Sequence, residues 1–233
     1  SKGELWVGAD DGKLHITRDE GKNWKDVTPH NKEAQVNAIE LSPHAQGRAY
    51  VAVAGYKLND YTPYIYKTDN YGKRWKRIDE GLPEDAFVRV VREDTEREGM
   101  LFAGTESGMF ISFDDGKHWQ ELDLNLPPVA ITDMQVKGDD LVVATQGRGF
   151  WILDDISPLR EVHKSLDDEA LFQFEPVDGV RLLSGGGMTD QPQAKNPPRG
   201  ATFRYYLKDA LEEDQTLRID IFNDDNELVR TLS

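Results

Sequence analysis

The sequence has no cysteine among its 233 residues. Disulfides, thiolate nucleophiles and cysteine-held metals are therefore excluded, and stability must come from packing alone. No apolar run approaches the roughly 20 residues of a membrane-spanning helix. Basic residues are scarce, since 28 Lys and Arg stand against 43 Asp and Glu, for a formal net charge of −15. This charge repels phosphate backbones and anionic lipid, so we expect no nucleic-acid partner. The lack of a long apolar run predicts no membrane span.

The chain also lacks the usual features of a protein N-terminus. It opens with SKGELWVG, which has neither an initiator methionine nor the basic and then apolar order of a signal segment. Because this opening passes directly into a strand pattern, we expect a piece of a longer protein whose true N-terminus is missing. Its length suffices for one large domain or two small ones.

An eight-residue motif, S/T-x-D-x-G-x-x-W, occurs three times. The copies are TRDEGKNW at 17 to 24, TDNYGKRW at 68 to 75 and SFDDGKHW at 112 to 119. The tryptophans, Trp24, Trp75 and Trp119, are 51 and 44 residues apart, close to the period of about 40 to 50 residues that is typical of propeller blades. A fourth copy, FWIL followed by Asp155, is degenerate.

Each repeat unit contains short strand patterns separated by Gly, Asp and Pro turns, and long helical periodicity is absent from the first 155 residues. Innermost-strand candidates are VNAIELS at 36 to 42, VRVVRED at 88 to 94 and ITDMQVK at 131 to 137. Small-residue strands are LWVGA at 5 to 9, YVAVAG at 50 to 55, LFAGT at 101 to 105 and LVVAT at 141 to 145. Alanine and glycine there allow neighbouring sheets to approach closely. The sequence therefore predicts an all-β fold of four-stranded propeller blades.

The motif lies where the third strand of a unit turns into the fourth, and its residue types suit a tight turn. The acidic or amide side chain accepts hydrogen bonds from turn amides, the hydroxyl donates one, and glycine takes a positive φ. The turn residues are Thr17, Asp19, Gly21 and Trp24, then Thr68, Asn70, Gly72 and Trp75, then Ser112, Asp114, Gly116 and Trp119. Asn70 can hold a turn but cannot act as a carboxylate. We therefore interpret the motif as a folding device whose aromatic residue buries against the next blade.

These three motifs resemble the Asp-box, or BNR, repeat of sialidases, sortilin-type receptors and xyloglucan-cleaving glucanases. ATQGRGFWILDDISPL, at 144 to 159, resembles the last blade of large bacterial proteins described as sortilin-like or glycosyl-hydrolase-like. FQFEPVDGVRLL and NPPRGATFRYYLKD resemble the continuation in that group, so the resemblance covers nearly the whole chain. It implies a propeller, a glycan or protein ligand, and a secreted, periplasmic or cell-surface location. The motif specifies a fold much better than a function.

The strand patterns number three, four, four and three, which is not a closed set of blades. Either ALFQFEP at 170 to 176 and VRLL at 180 to 183 supply the two missing strands, or residues 1–159 belong to a larger propeller. We favour the larger propeller. The partners would then be the remaining blades of a longer parent chain, or a second copy through self-association.

The tail has a different composition. Residues 160–200 are predicted to contain closing strands and a linker rich in Gly, Pro and polar residues. Residues 201–233 show three strand patterns, the last two joined by the turn NDDN at 223 to 226. We expect the start of a truncated immunoglobulin-like sandwich.

Residue types needed for catalysis form no recognisable constellation. The five histidines, which show no metal-ligand spacing, are His15, His30, His44, His118 and His163. No metal or other cofactor is expected. Sugar hydrolysis requires two carboxylates across a cleft, and with this many acidic residues no pair can be selected. The arginine cluster and tyrosine–glutamate pair of sialidases cannot be placed either, so catalytic residues stay unknown.

A ligand is expected on the face opposite the motif turns, where the loops between second and third strands lie. The candidate binding residues are Asp10, Asp11, Tyr56, Asn59, Tyr61, Glu106, Gln146 and Arg148. Tyr56, Asn59 and Tyr61 lie in the insertion YKLNDYTP and combine rings with hydrogen-bonding tips. Arg148, between two glycines, is predicted to point toward the propeller axis. It would contact an anionic or hydroxyl-rich ligand, or else a carboxylate of a neighbouring blade.

The favoured interpretation is a carbohydrate- or protein-binding module without a complete active site. The alternative is part of a glycoside hydrolase whose acid and base lie partly in missing blades. Sortilin-like peptide binding fits the same scaffold. Paired carboxylates within about 5 to 10 Å on the ligand face would favour the enzyme, and an apolar groove without them would favour binding.

Overall fold

The computed structural model describes residues 3–29, 34–122, 124–163, 166–177 and 200–232. The chain divides into two compact units, Ser1–Val162 and His163–Ser233. The helices within these ranges are too short and too polar to cross a bilayer.

The described part of the first unit contains fourteen strands in four antiparallel sheets, which we call blades 1 to 4. Blade 1 contains β1 (Leu5–Gly8), β2 (Leu14–Thr17) and β3 (Lys25–Asp26). Blade 2 contains β4 (Gln35–Leu41), β5 (Ala49–Gly55), β6 (Asp60–Thr68) and β7 (Lys76–Arg77). Blade 3 contains β8 (Val88–Glu93), β9 (Leu101–Thr105), β10 (Met109–Ser112) and β11 (Gln120–Glu121). Blade 4 contains β12 (Ile131–Lys137), β13 (Asp140–Thr145) and β14 (Phe150–Leu153).

Consecutive strands pair within every blade, so each blade is a simple meander. The predicted all-β fold is confirmed, as is the predicted count of three, four, four and three strands. One boundary differs from the prediction, because β6 begins at Asp60 and takes in part of the insertion at 56 to 63. The rest of that insertion forms a short 3₁₀ turn, Tyr56–Leu58, which ends at Asn59 with a φ of 60°. An asparagine tolerates this left-handed conformation better than most residues.

Apolar side chains fill the space between consecutive blades. Fully buried examples, in chain order, are Leu14, Val51, Ile65, Val91, Phe102 and Ile131. Small residues allow the close contact that the strand patterns predicted. A Cβ atom added at Gly104 would lie 2.6 Å from Cγ2 of Ile131 in the next blade. A larger residue at Gly104 would therefore push blades 3 and 4 apart.

The three motif turns share one hydrogen-bond pattern. In the third, Ser112 Oγ donates to Asp114 (3.0 Å) and accepts from the Gly116 amide (2.9 Å), while Asp114 accepts from the His118 amide (2.9 Å). Equivalent bonds join Thr17, Asp19, Gly21 and Asn23, and Thr68, Asn70, Gly72 and Arg74. Gly21, Gly72 and Gly116 have φ values of 89°, 72° and 76°. The hydroxyl and the acidic or amide side chain of each motif therefore stabilise its turn.

The motif tryptophans pack against the preceding blade, so the prediction that they bury against the next blade is wrong. The indole Nε1 of Trp75 donates to the carbonyl of Val27, and that of Trp119 donates to the carbonyl of Ile78. Trp119 is 5% exposed, whereas Trp24 is 46% exposed because no described sheet covers that side of blade 1. The repeat therefore determines the position of the tryptophan in its turn, and the preceding blade determines how much of the ring is buried.

A short helix follows the last strand of blade 4, at the position where the fourth motif is degenerate. This helix, α1 (Ser157–Glu161), follows Asp155, whose carboxylate accepts from the Ser157 amide. Arg160 on the helix binds Asp94, whose side chain is 0% exposed, through both carboxylate oxygens at 3.0 Å. The ion pair therefore attaches the helix to blade 3.

The second unit contains two separate two-stranded sheets in its described residues. One pairs β15 (Leu171–Gln173) with β16 (Tyr205–Leu207), and the other pairs β17 (Ile219–Phe222) with β18 (Leu228–Leu232). In the described residues β15 pairs with β16. The option that 170 to 176 supplies a closing strand stays a prediction. The other closing segment, 180 to 183, and His30 lie outside the described residues.

The NDDN segment forms the predicted hairpin turn. Asn223 Oδ1 accepts hydrogen bonds from the amides of Asp225 and Glu227, and Asn226 has a φ of 62°. These bonds fix the Asn223 side chain within the turn. An immunoglobulin-like sandwich around this hairpin stays a prediction.

Candidate ligand-binding site

The loops between second and third strands gather with the inter-blade loops on one face of the blades, which we call the loop face. Backbone bonds tie them together: the Val36 amide donates to Ala9, the Glu106 amide to Phe87, and the Gln146 amide to Ala130. Each bond joins such a loop to the start of an innermost strand. The first bond joins blades 1 and 2, and the other two fix one loop within blade 3 and one within blade 4.

Three aromatic rings from two blades meet on the loop face. Tyr56 stacks on Phe87, with ring centroids 4.7 Å apart and planes 15° apart, and Tyr61 lies 6.3 Å from the same ring. Phe87 is 3% exposed, whereas Tyr61 is 47% exposed. The buried Phe87 ring thus supports the exposed Tyr61 ring. Because this contact already restricts Tyr61, a ligand that binds the ring would lose little further side-chain entropy.

Arg89 extends this group across blades 3 and 4. Its guanidinium lies over the Phe87 ring at 5.1 Å, pairs with Glu106 at 2.6 Å and reaches Gln146 at 3.5 Å. We call Tyr56, Tyr61, Phe87, Arg89, Glu106 and Gln146 the Arg89 cluster. It combines stacking surface with a cation, a carboxylate and an amide, each of which can bind a polar ligand.

A β-bulge explains the direction of Arg89. The register between β8 and β9 shifts between Val88 and Val90, and the innermost strands β4 and β12 have equivalent shifts at Asn37 and Thr132. A bulge leaves one residue unpaired and re-aims its side chain. The three bulged residues therefore present polar groups at the loop-face end of the innermost strands.

The innermost strands carry a second polar group, made of Glu40, Arg92 and Asp133. Arg92 binds Asp133 at 2.7 Å, Glu40 at 3.5 Å and the carbonyl of Met134 at 2.8 Å. Burial raises the pKa of Glu40 to about 7 against the lowering effect of Arg92. An acid and an ionised carboxylate are the groups a glycosidase uses. Here, however, one guanidinium binds both carboxylates, as in a structural ion-pair network.

A cavity of about 300 Å³ lies on the loop face between blades 1 and 2. Asp10 and Asp11 line it from blade 1, and Gln35, Lys57 and Leu58 line it from blade 2. We call it the Lys57 cavity. Asp11 Oδ1 accepts from the Lys13 amide at 3.0 Å, which positions this acidic turn at its rim.

The predicted binding residues thus separate into three groups. Tyr56, Tyr61, Glu106 and Gln146 meet in the Arg89 cluster, and Asp10 and Asp11 line the Lys57 cavity. Asn59 and Arg148 belong to neither. Asn59 is explained by its left-handed backbone, and Arg148 is exposed without an ion pair to any described residue. The option that Arg148 contacts a neighbouring blade's carboxylate therefore has no support in the described region.

Sequence reasoning missed Phe87, Arg89, Glu40, Arg92 and Gln35. All five lie in or beside innermost-strand patterns, where they look like ordinary strand residues, and the bulges that redirect the strands cannot be recognised from composition. Within the described residues, no group of three or more His, Asp or Glu side chains is placed to hold a metal ion. The candidate site is therefore a polar and aromatic surface.

Comparison with known proteins gives two curated relatives, and no family model matches the chain. The oligoxyloglucan-reducing end-specific xyloglucanase of Emericella nidulans is 23% identical over 106 residues. A probable enzyme of the same kind from Neosartorya fischeri is 24% identical over 107 residues. Each match covers 44% of this chain but only 13% of the relative. The chain thus spans a small part of the relatives' length.

Solved structures share the architecture at low sequence identity. The Niastella koreensis GH74 enzyme has a TM-score of 0.54 and 17% identity, and covers 66% of this chain and 27% of its own. The GH74 xyloglucanase from Xanthomonas campestris has 0.51 and 17%, covering 66% and 26%. YCF48 bound to D1 peptide has 0.50 and 16%, covering 66% and 49%. The blades form a β-propeller fold. At these identities the likeness to known propellers shows the fold and not the activity.

Proposed function

We propose that this propeller chain binds a carbohydrate at the Arg89 cluster, without cleaving it. The observation that carries the proposal is the exposed Tyr61 ring, supported with Tyr56 on buried Phe87, beside the polar groups of Arg89 and Glu106. A sugar presents apolar C–H faces and a rim of hydroxyls. Aromatic rings match the faces, and planar charged or amide groups match the rim.

Binding is favoured over hydrolysis by the state of the carboxylates. Glu106 is held by Arg89, and Glu40 and Asp133 share Arg92, so each of these acidic groups is engaged with a cation. A retaining or inverting hydrolase needs its two carboxylates free to face the glycosidic bond. The enzyme alternative, with the acid and base partly in other blades, predicts cleavage only by a longer protein.

The wider setting is part of the same proposal. We infer that the three repeat turns are Asp boxes of the BNR type and that the blades belong to a larger propeller, which supplies the partner blades. The xyloglucanase names of the two relatives make xyloglucan oligosaccharides the first ligands to test. A glycan ligand also supports a secreted or periplasmic location.

A peptide is the second candidate ligand. The YCF48 propeller of similar fold was solved bound to a peptide. The exposed, unpaired Arg148 and the aromatic rings would suit an extended chain with a carboxylate. A peptide ligand would leave the position of the site unchanged.

The test is calorimetric titration of the chain with xyloglucan oligosaccharides, with product analysis in parallel. Tyr61→Ala should weaken binding about tenfold, or ~1.4 kcal/mol, because it removes the exposed ring. Trp24→Ala is the matched control, since Trp24 is 46% exposed and lies in a motif turn, and it should leave affinity unchanged. Equal losses in the two variants, or no glycan binding by the unmodified chain, would contradict the proposal. Cleavage products would overturn its non-catalytic part.

A further inference from the structure

One side chain that lines the Lys57 cavity has a polar atom that no described residue satisfies. The Gln35 side chain lines it, and its Oε1 is buried without a hydrogen-bond partner. Only Glu93 Oε2 shares this condition among the buried side-chain atoms of the described residues. A buried acceptor left unpaired costs about 1–3 kcal/mol, so a ligand hydroxyl that paired with this oxygen after rotation of the amide would recover part of that cost.

The charges around the cavity indicate what kind of ligand fits. Asp10 and Asp11 line it from blade 1 and Lys57 from blade 2, and among the described residues no ion pair joins them. A cation would meet Lys57 and an anion would meet the two carboxylates, so a neutral group that both donates and accepts hydrogen bonds fits best. Ala54 and Leu58 add apolar wall. A sugar ring with vicinal hydroxyls has this combination.

We propose that the Lys57 cavity is a second subsite, which binds one sugar residue of an oligosaccharide whose other end lies on the Arg89 cluster. This inference rests on the glycan function proposed above. Asp10 and Asp11 accept from hydroxyls, and Lys57 donates to a hydroxyl or ring oxygen. The Gln35 amide turns about its terminal torsion, which has a broad energy minimum, to bring Oε1 to a hydroxyl.

One short turn connects the two subsites. The 3₁₀ turn Tyr56–Leu58 places the Tyr56 ring on Phe87 in the Arg89 cluster, while Lys57 and Leu58 line the cavity. A ligand that crosses this turn therefore contacts both. Affinity should rise with oligosaccharide length only when the chain is long enough to reach the cavity, because the second contact is then made within the same complex.

The test measures affinity against oligosaccharide length for Gln35→Met in the full chain. Methionine keeps the length of the side chain and removes the unpaired acceptor, so the melting temperature should stay the same or rise. Binding of a nine-residue xyloglucan oligosaccharide should fall about fivefold to tenfold, while binding of cellobiose should be unchanged. Gln120→Met, at an exposed position of β11, is the matched control and should match the unmodified chain at both lengths.

Amide-resolved NMR titration with the same two sugars separates this proposal from the one on which it rests. Shifts at the Gln35 side-chain amide with the long sugar support the cavity subsite. Shifts confined to Tyr56 and Tyr61, with Gln35→Met binding both sugars normally, overturn the subsite and leave the Arg89 cluster standing. Shifts at Gln35 alone support the cavity and contradict the cluster. No shift at either place overturns both.

Discussion

Replacing the motif tryptophans one at a time tests the fold most directly, because the same residue of the repeat lies in different environments. Trp119 is 5% exposed and Trp24 is 46% exposed. Burial of an aromatic side chain removes about 200 Å² from water, worth about 5 kcal/mol at ~25 cal/mol per Å². Since Trp→Ala replacements in cores cost about 3–5 kcal/mol, we expect about 4 kcal/mol for Trp119→Ala and about 1 kcal/mol or less for Trp24→Ala.

The hydrogen bond of Trp119 can be separated from its burial. Its Nε1 donates to the Ile78 carbonyl at 2.6 Å, and this carbonyl becomes an unpaired buried acceptor when the N–H is lost. Trp119→Phe keeps much of the ring and should cost about 1–3 kcal/mol. If Trp119→Ala is too unstable to measure, Trp119→Phe still tests the contribution of this residue.

Urea unfolding followed by far-UV circular dichroism is the suitable assay, because the variants change the tryptophan fluorescence. The free energies of unfolding should rank unmodified chain and Trp24→Ala highest, Trp119→Phe next and Trp119→Ala lowest. If Trp24→Ala destabilised the chain as much as Trp119→Ala, packing on the preceding blade would not be the source of stability. A loss below about 1 kcal/mol for Trp119→Ala would refute the burial argument itself.

Two further predictions concern charged groups inside the blades. Burial raises the pKa of Glu40 from 4.5 to about 7, so the folded chain binds the Glu40 proton more tightly than the unfolded chain does. The protonated carboxyl therefore stabilises the fold at low pH, and this contribution is lost as pH rises from about 4.5 to 7. Relative to Glu40→Gln, the unmodified chain should lose about 3 kcal/mol of unfolding free energy over that pH interval, as measured by urea unfolding. Exposed Glu121→Gln is the control. If the unfolding free energies of the unmodified chain and Glu40→Gln changed in parallel with pH, the prediction would be contradicted. Arg160→Met leaves buried Asp94 without its cation and should cost about 3–5 kcal/mol, whereas Arg218→Met at an exposed pair should cost less than about 1 kcal/mol. Similar melting temperatures for the two arginine variants would show that α1 does not depend on the ion pair.

The strand order and the motif turns could be predicted from local sequence because their causes are local. A hydroxyl, an acidic or amide side chain and a glycine at fixed spacing satisfy the same turn bonds in all three copies. Asn70 was informative for this reason, since it keeps the turn without a carboxylate. The direction in which Trp75 and Trp119 pack could not be predicted, because the repeat specifies the ring and not the blade that covers it.

The candidate site was predicted in outline only. Loop residues such as Tyr56, Tyr61, Glu106 and Gln146 could be selected because strand alternation places their loops on one face. The residues that join them, Phe87 and Arg89, lie in a strand pattern, and the bulge that redirects Arg89 depends on pairing with β9. Gln35 has no signal in the sequence, since an unpaired acceptor is defined by the neighbours that fail to reach it.

By itself, then, the sequence determined the all-β class, the number of strands in each blade and the turns between the third and fourth strands. These follow from alternation, glycine conformations and hydrogen bonds within about ten residues of chain. The tertiary structure alone decided how buried each motif tryptophan is, which loop residues meet around Arg89 and where Glu40 and Gln35 lose solvent. Those properties depend on contacts between blades, which join residues some 40 to 60 positions apart and are not encoded in any one stretch of the chain.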